Sequence, residues 1–193
     1  MASPQIIWFR NDLRLRDQAA VHAAARAGPV IAVFVLDESR IVRQPGGASR
    51  WWLHHSLAAL DRSLQALGGR LMLLRGPSAA VLARLAQETG AGAIHALRHS
   101  EPWWPIIEAE VPRLALHDGT TLAPPGLLRT KAGERFRVFT PFSRALTALG
   151  DPARPMPAPE RIEFAPQPEG ERLADWGLLP VSPDWSTGFS DWE

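Results

Sequence analysis

The chain alternates between short continuous apolar runs and longer stretches whose apolar residues recur at helical spacing. Residues 6–10, Ile-Ile-Trp-Phe-Arg, read as a buried strand that runs straight into the charged stretch "FRNDLRLRD". Asp17 is placed to cap the following helix, "QAAVHAAARAG", which Gly28 closes. Residues 30–37, "VIAVFVLD", form an unbroken apolar run of the kind seen in strands covered on both faces. In "ASRWWLHHSLAALDRSLQALGG" the residues Trp52, Leu53, Leu57, Leu60, Leu64 and Leu67 keep helical spacing until Gly68 and Gly69 stop it. A strand at 70–75, a helix opened by Pro77 and a strand at 93–97 follow. Such strand–helix alternation belongs to doubly wound α/β folds.

The alternation weakens after His99, where prolines at 102, 105 and 112 leave room for only a short helix before a fifth strand near 113–117. The segment "FRVFTPFSRALTAL" predicts a strand or turn ending at Thr140–Pro141, then a short helix. From Asp151 onward prolines are frequent and periodicity is lost, the composition of a connector. Its isolated aromatics, Phe164, Trp176 and Trp185, are expected to anchor it on the α/β unit, each burying area worth on the order of 2 kcal/mol.

Composition removes several chemistries. With no cysteine among 193 residues, disulfides, Cys-ligated zinc and thiol catalysis are excluded. The formal net charge of +1 gives no global electrostatic case for nucleic-acid binding. The N-terminal stretch lacks the pattern of a signal peptide and no run is long enough to span a bilayer, so a soluble, cytoplasmic protein is expected. The six histidines show no metal-ligand spacing, and the adjacent His54 and His55 point apart on a helix. Neither a G-x-G-x-x-G fingerprint, a Walker A loop nor a G-x-S-x-G elbow is present.

What remains is "FRNDLRLRD" at the carboxyl end of the first strand, where ligands dock in parallel sheets. Arg10 lies closest to that crevice, and a guanidinium there can grip a phosphate or a ring oxygen bidentately. Asp12 and Arg14 read as an ion-pair lattice bracing the loop. Of the tryptophan pairs Trp51–Trp52 and Trp103–Trp104, one member each is expected in the core, since neighbours on a helix cannot both face inward. The other is free to stack on a planar ligand or to meet a partner domain.

Four separated motifs, "WFRNDLRLRD", "SRWWLHHSLAALDRSLQALGGRLMLLRG", "EPW" and "RVFTPFSRAL", resemble in sequence and order the DNA photolyase/cryptochrome family, most of all bacterial photolyases that repair cyclobutane pyrimidine dimers. The resemblance implies a three-layer α/β sandwich with a Rossmann-like, five-stranded parallel sheet in the order 3-2-1-4-5. It implies that residues 1–150 form the antenna domain and residues 151–193 the interdomain connector. The helical domain that holds FAD and meets damaged DNA is then the partner lying outside this chain, and the chain alone is inactive in repair.

In similar proteins flavin-type antenna pockets are lined where Arg10, Val35, Leu36, Asp37, Arg50 and Leu53 stand, and Glu101 matches the acidic residue after the fourth strand. Trp103–Trp104 occupy the place of polar residues in folate-binding members. This favours 8-hydroxy-deazaflavin or FMN over folate as antenna pigment, or an empty pocket plugged by one of the two tryptophans. A cryptochrome photoreceptor fragment and a free-standing flavin- or nucleotide-binding module are the alternatives.

Overall fold

Each apolar run becomes one strand of a single parallel sheet. In the computed structural model, which describes residues 2–124 and 126–192, the strands are β1 (Gln5–Phe9), β2 (Val30–Leu36), β3 (Leu71–Arg75), β4 (Ala93–Leu97) and β5 (Leu114–His117). Glu193, the last residue of the expected connector, lies outside the described residues. The strand order is β3-β2-β1-β4-β5, as expected, with Ile7 opposite both Ala32 and His95, Val33 opposite Met72, and Ile94 opposite Leu114. Every residue of β1 and β2 is buried, which explains why both read as continuous rather than alternating.

Side chains leave the strands alternately to two cores. Ile7, Phe9 and Phe34 pack with Leu57, Leu60 and Leu64 of α2 (Gly47–Gln65) and with Val21 and Ala24 of α1 (Ala19–Ala27). Ile6, Trp8 and Val33 pack on the other face with Leu82 and Leu85 of α3 (Ser78–Thr89) and with Trp104 and Ile107 of α4 (Trp104–Glu108). Helix, sheet and helix thus form three layers.

Two local expectations differ from the structure. The cap of α1 is Gln18, whose side-chain oxygen accepts from Ala20 N at 3.2 Å. Asp17 instead adopts φ 51° and is drawn to the tail, donating its N–H to Met156 O at 2.8 Å and accepting from Met156 N at 3.2 Å. Thr140 and Pro141 do not end a strand. They lie in the first turn of α5 (Phe139–Thr147), where proline's missing N–H has no intrahelical partner to lose. No residue of α5 is buried.

The tail is irregular apart from short 3-10 turns at Leu173–Trp176 and Ser186–Trp192, but it is held by more than aromatic anchors. Phe164 makes a parallel bridge with Val30, through Val30 N to Glu163 O at 2.7 Å and Ala165 N to Val30 O at 3.0 Å. Glu171 N donates to Leu73 O at 2.7 Å. Ile162, Ala165, Trp176 and Leu178 are buried in the two cores, whereas Trp185 is 40% exposed and rests beside Trp51 and Phe189. Gly69 is required for this seating, because a Cβ there would overlap the Phe164 ring. No helix among the described residues is long and apolar enough to cross a membrane.

Candidate functional site

A cavity of about 610 Å³ opens at the carboxyl ends of β1 and β2, under the loop that leads into α2. It stands at the carboxyl ends of two neighbouring strands, where ligands dock in parallel sheets. Trp8, Phe9 and Phe34 to Leu36 line it from the strand ends, Trp52 and Leu53 from the first turns of α2, and Trp103 and Trp104 from the start of α4.

Arg10 leaves β1 directly into this region, and its surroundings differ from the expected ligand grip. Its side chain is fully buried, Nη1 donates to the Glu108 carboxylate at 2.6 Å, and Nη2 donates to Leu97 O. The guanidinium carbon lies 4.9 Å from the centre of the Trp8 ring and 4.4 Å from that of Trp104. Burial pushes its pKa down, with Glu108 opposing the shift. The fork that could have taken a phosphate is therefore committed to Glu108 and the end of β4. Only Nε–H has no acceptor among the described residues.

The loop after Arg10 is braced, though not by the expected Asp12–Arg14 ion pairs. Asp12 accepts from Arg10 N at 3.1 Å, from His99 Nε2 at 3.1 Å and from the Gln18 amide. Burial alone would raise its pKa, but the bonds from His99 and Gln18 outweigh it and hold the carboxyl below its ordinary range. Arg14 donates to backbone carbonyls of Arg16, Asp17 and Gly119 at 3.1, 3.1 and 3.0 Å. An arginine that ties a loop through carbonyls leaves no pattern in sequence.

Asp37, at the end of β2, is equally committed. Its two oxygens accept from Ser39 N at 2.9 Å and Ser78 N at 2.8 Å, so it caps α3 across the crevice. Burial opposes ionisation, and the serine bonds overcome it, holding the pKa low. Glu101 accepts from Asn11 Nδ2 and from Trp104 Nε1, both at 3.0 Å, and so fixes one aromatic wall from behind. Arg50 donates to Trp176 O at 3.5 Å and Gly177 O at 3.3 Å, and faces Glu38 at 3.7 Å, tying α2 to the tail.

Of the residues singled out in the sequence, Arg10, Val35, Leu36, Asp37 and Leu53 come together around the cavity, while Arg50 and Glu101 stand outside its wall. The tryptophan pairs divide unequally. Trp104 is 7% exposed and Trp103 half-buried, whereas Trp51 is half-buried and Trp52 is 64% exposed at the cavity rim. Sequence reasoning missed Arg43, Ser49 and Ser56, which also line the cavity. Their only signal was proximity to the loop "RQPGG", which does not reveal which way the loop folds.

The site has aromatic walls, carboxylates already engaged by protein donors, and buried donors without acceptors at Arg10 Nε and Trp103 Nε1. A planar group fits between these aromatic walls. The carboxylates are not placed as free general acids or bases, so the arrangement is suited to holding a ligand rather than transforming it.

The DNA photolyase family model matches residues 5–160. A deoxyribodipyrimidine photo-lyase of Agrobacterium fabrum is 42% identical over 98% of this chain and 41% of its own length. Cryptochrome-1 of Arabidopsis thaliana is 36% identical over 81% of this chain and 25% of its own. The crystal structure of a bacterial class III photolyase from Agrobacterium tumefaciens superposes with a TM-score of 0.88, at 40% identity, over 99% of this chain and 41% of that one. The chain thus spans about two fifths of the length of these photolyases. The parallel sheet, the crevice at its strand ends and the match over most of the sequence have one conclusion: the chain belongs to the DNA photolyase family.

Proposed function

We propose that this chain is the antenna domain of a light-dependent DNA-repair photolyase, and that the cavity at the ends of β1 and β2 holds a planar light-harvesting pigment. When bound, that pigment supplies light absorption and passes the excitation to FAD in a helical domain supplied by the rest of the protein. The chain's own residues hold it. Trp52, Trp103 and Trp104 give planar faces, Leu53 and Val35 exclude water, and the Arg10–Glu108 pair fixes the end of the wall. Residues 1–150 carry this site. Residues 151–193 act as connector, with Trp176 and the Phe164 bridge holding its first part against the sheet.

The observation that carries this reading is the cavity itself: a crevice of about 610 Å³ at the strand ends, walled by aromatic side chains. A flavin or 8-hydroxy-deazaflavin is favoured over a folate, because Trp103 and Trp104 stand at the cavity wall in the place of the polar residues of similar folate-binding proteins. Binding is tested by titrating FMN, an 8-hydroxy-deazaflavin and a folate into the protein and following tryptophan fluorescence. Quenching by a flavin-type pigment is expected, and it should disappear in Ser56→Trp, which fills the cavity from α2. Silence toward all three would mean a plugged, pigment-free domain. Tight folate binding alone would overturn the choice of pigment.

The similarity to Cryptochrome-1 supports a second reading, in which the same domain serves a photoreceptor without repair. Dimer repair by the protein extended through its helical domain separates the two.

A further inference from the structure

Exposed large apolar side chains gather in one stretch of the chain. Leu122, Leu127, Val138, Phe139, Phe142 and Leu149 fall between residues 122 and 149, and Phe139 is 78% exposed. At the centre of this stretch α5 repeats apolar residues at Phe139, Phe142 and Leu146, with Leu149 continuing the stripe just beyond its end. Thr140, Ser143, Arg144 and Thr147 take the other side. Such a stripe belongs on a helix that lies against a core, yet α5 buries no residue. Phe142 meets only its sequence neighbour Phe136 among the described aromatic rings, at 6.1 Å between centres. A helix of 9 residues is too short to be stable in water by itself, so the stripe calls for a cover.

Three occupants differ in what they would do with this face. Nucleic acid would engage the arginines and leave the apolar stripe in water. A second copy across a twofold axis would bring Arg135 and Arg137, exposed and alternating with Phe136 and Val138, toward their own mates, which repel. The third occupant is the rest of the protein. The chain spans 41% of the length of the photolyases it matches, and α5 lies in "RVFTPFSRAL", one of the four motifs that carry the resemblance to the family. The other three motifs build β1, α2, β3 and the cavity wall, whereas this one contributes no buried residue to the α/β unit. A motif that packs on nothing here has its packing partner elsewhere.

We infer that the face of α5 formed by Phe139, Phe142, Leu146 and Leu149 is the seat of the helical domain, which covers it with an apolar groove whose rim toward Arg135 and Arg137 is acidic. This rests on the reading that the rest of the protein supplies a helical domain, and adds where that domain attaches. The two-sided pattern of an exposed helix then has a cause, because its apolar side is interior in the longer protein.

The test follows hydrogen exchange by mass spectrometry in the 193-residue chain and in the protein extended through its helical domain. Amides of 139–149 should exchange about a hundredfold more slowly in the longer protein, while those of β1 and β2 are protected in both. Phe139→Glu should erase that slowing and resolve the melting of the longer protein into two steps. In the 193-residue chain the same change should move the melting temperature by less than about 1 °C, since the ring is exposed there. Thr147→Glu, on the opposite side of α5, should alter neither protein. Arg135→Glu with Arg137→Glu should lose part of the slowing, more at low salt than at high. Equal exchange in the two proteins, or slowing that survives Phe139→Glu, overturns this inference, and dimer repair by the longer protein would then leave the proposed function standing. Slowing that appears in the 193-residue chain as its concentration rises marks a second copy as the occupant and overturns it likewise. A longer protein without a helical domain sinks both.

Discussion

The guanidinium of Arg10 and the carboxylate of Glu108 meet at 2.6 Å across 98 residues of sequence, joining the end of the central strand to the short helix α4. Their side chains are 0% and 12% exposed, so each charge relies on the other for what water no longer supplies. Removing Glu108 would leave a buried guanidinium with only Leu97 O and two aromatic faces. Glu108→Ala is expected to destabilise the fold by about 3 kcal/mol in urea unfolding. The double variant Arg10→Met, Glu108→Leu should recover most of that loss, because it removes the charge together with its partner. A neutral Glu108→Ala would mean that the pair contributes nothing to holding the cavity wall.

On the other side of the sheet from this pair's role, at β4 and β5, His95 and His117 are stacked with ring centres 5.2 Å apart, and His95 bridges His117 at 3.0 Å and Gln5 at 3.2 Å. Gln5 Oε1 can only accept, so His95 donates from Nε2, and in its neutral form Nδ1 is left to accept from His117. Burial pushes both histidines below the ordinary 6.5, with His117 adding to the effect on His95. Their contribution to stability is therefore complete above about pH 6.5, where folded and unfolded chains alike are neutral, and is lost as pH falls, because the unfolded chain takes up protons first. Melting temperature should fall between pH 7 and 5, and less steeply in His95→Gln. Asp12 and Asp37, held low, act in a separate window, losing their contribution only below about pH 3.8. A flat profile between pH 7 and 5 would show that the stacked pair tolerates protonation.

The sheet was legible in the sequence because apolar runs and glycine stops are local signals, and strand burial on both faces leaves no ambiguity in the runs of β1 and β2. The site was legible only as a place. That Arg10, Val35, Leu36, Asp37 and Leu53 surround one cavity follows from strand order, since they lie at strand ends or at the start of α2. Which of them keep a free polar group does not follow, because the answer lies in partners far along the chain: Glu108 for Arg10, Ser78 for Asp37, Gly177 for Arg50. Asp17 was misread as a cap for the same reason, its partner Met156 being 139 residues away.

The tail should behave as part of the α/β unit up to about Leu178. Trp176 is 3% exposed with its ring 6.0 Å from Phe34, and its Nε1 donates to Glu171 at 2.7 Å. Trp176→Ala is expected to cost about 4 kcal/mol. Gly69→Ala, which drives a methyl group into the Phe164 ring, should cost about 2 kcal/mol and free the bridge to Val30. Trp185→Ala, at a 40% exposed ring, should cost less than about 1 kcal/mol. Limited proteolysis of the wild type should cut the exposed stretch 129–137 before it cuts 162–178, and Gly69→Ala should reverse that order. Early cleavage within 162–178 of the wild type would restore the view of the tail as a loose connector.

The final prediction concerns what this chain does alone with DNA. Splitting a pyrimidine dimer by light requires a reduced flavin beside the flipped lesion, which in the proposed division of labour belongs to the helical domain. The 193-residue chain is therefore expected to leave dimers unrepaired under illumination, even with an antenna pigment bound. Binding to DNA is a separate question, because charge is unevenly spread. The whole chain carries +1, yet residues 129–154 hold six basic side chains, Arg129, Lys131, Arg135, Arg137, Arg144 and Arg154, against Glu134 and Asp151. These residues lie on and around α5, which buries no side chain. Weak binding, indifferent to damage and falling steeply with salt, is expected to map there, since so few phosphates can be neutralised by one short segment. Arg135→Glu with Arg137→Glu should remove most of it while leaving pigment titration unchanged, because neither residue lines the cavity. Gel-shift and fluorescence titrations at graded salt measure both effects. Damage-selective binding, or dimer repair by this chain in light, would overturn the assignment of recognition and catalysis to the helical domain.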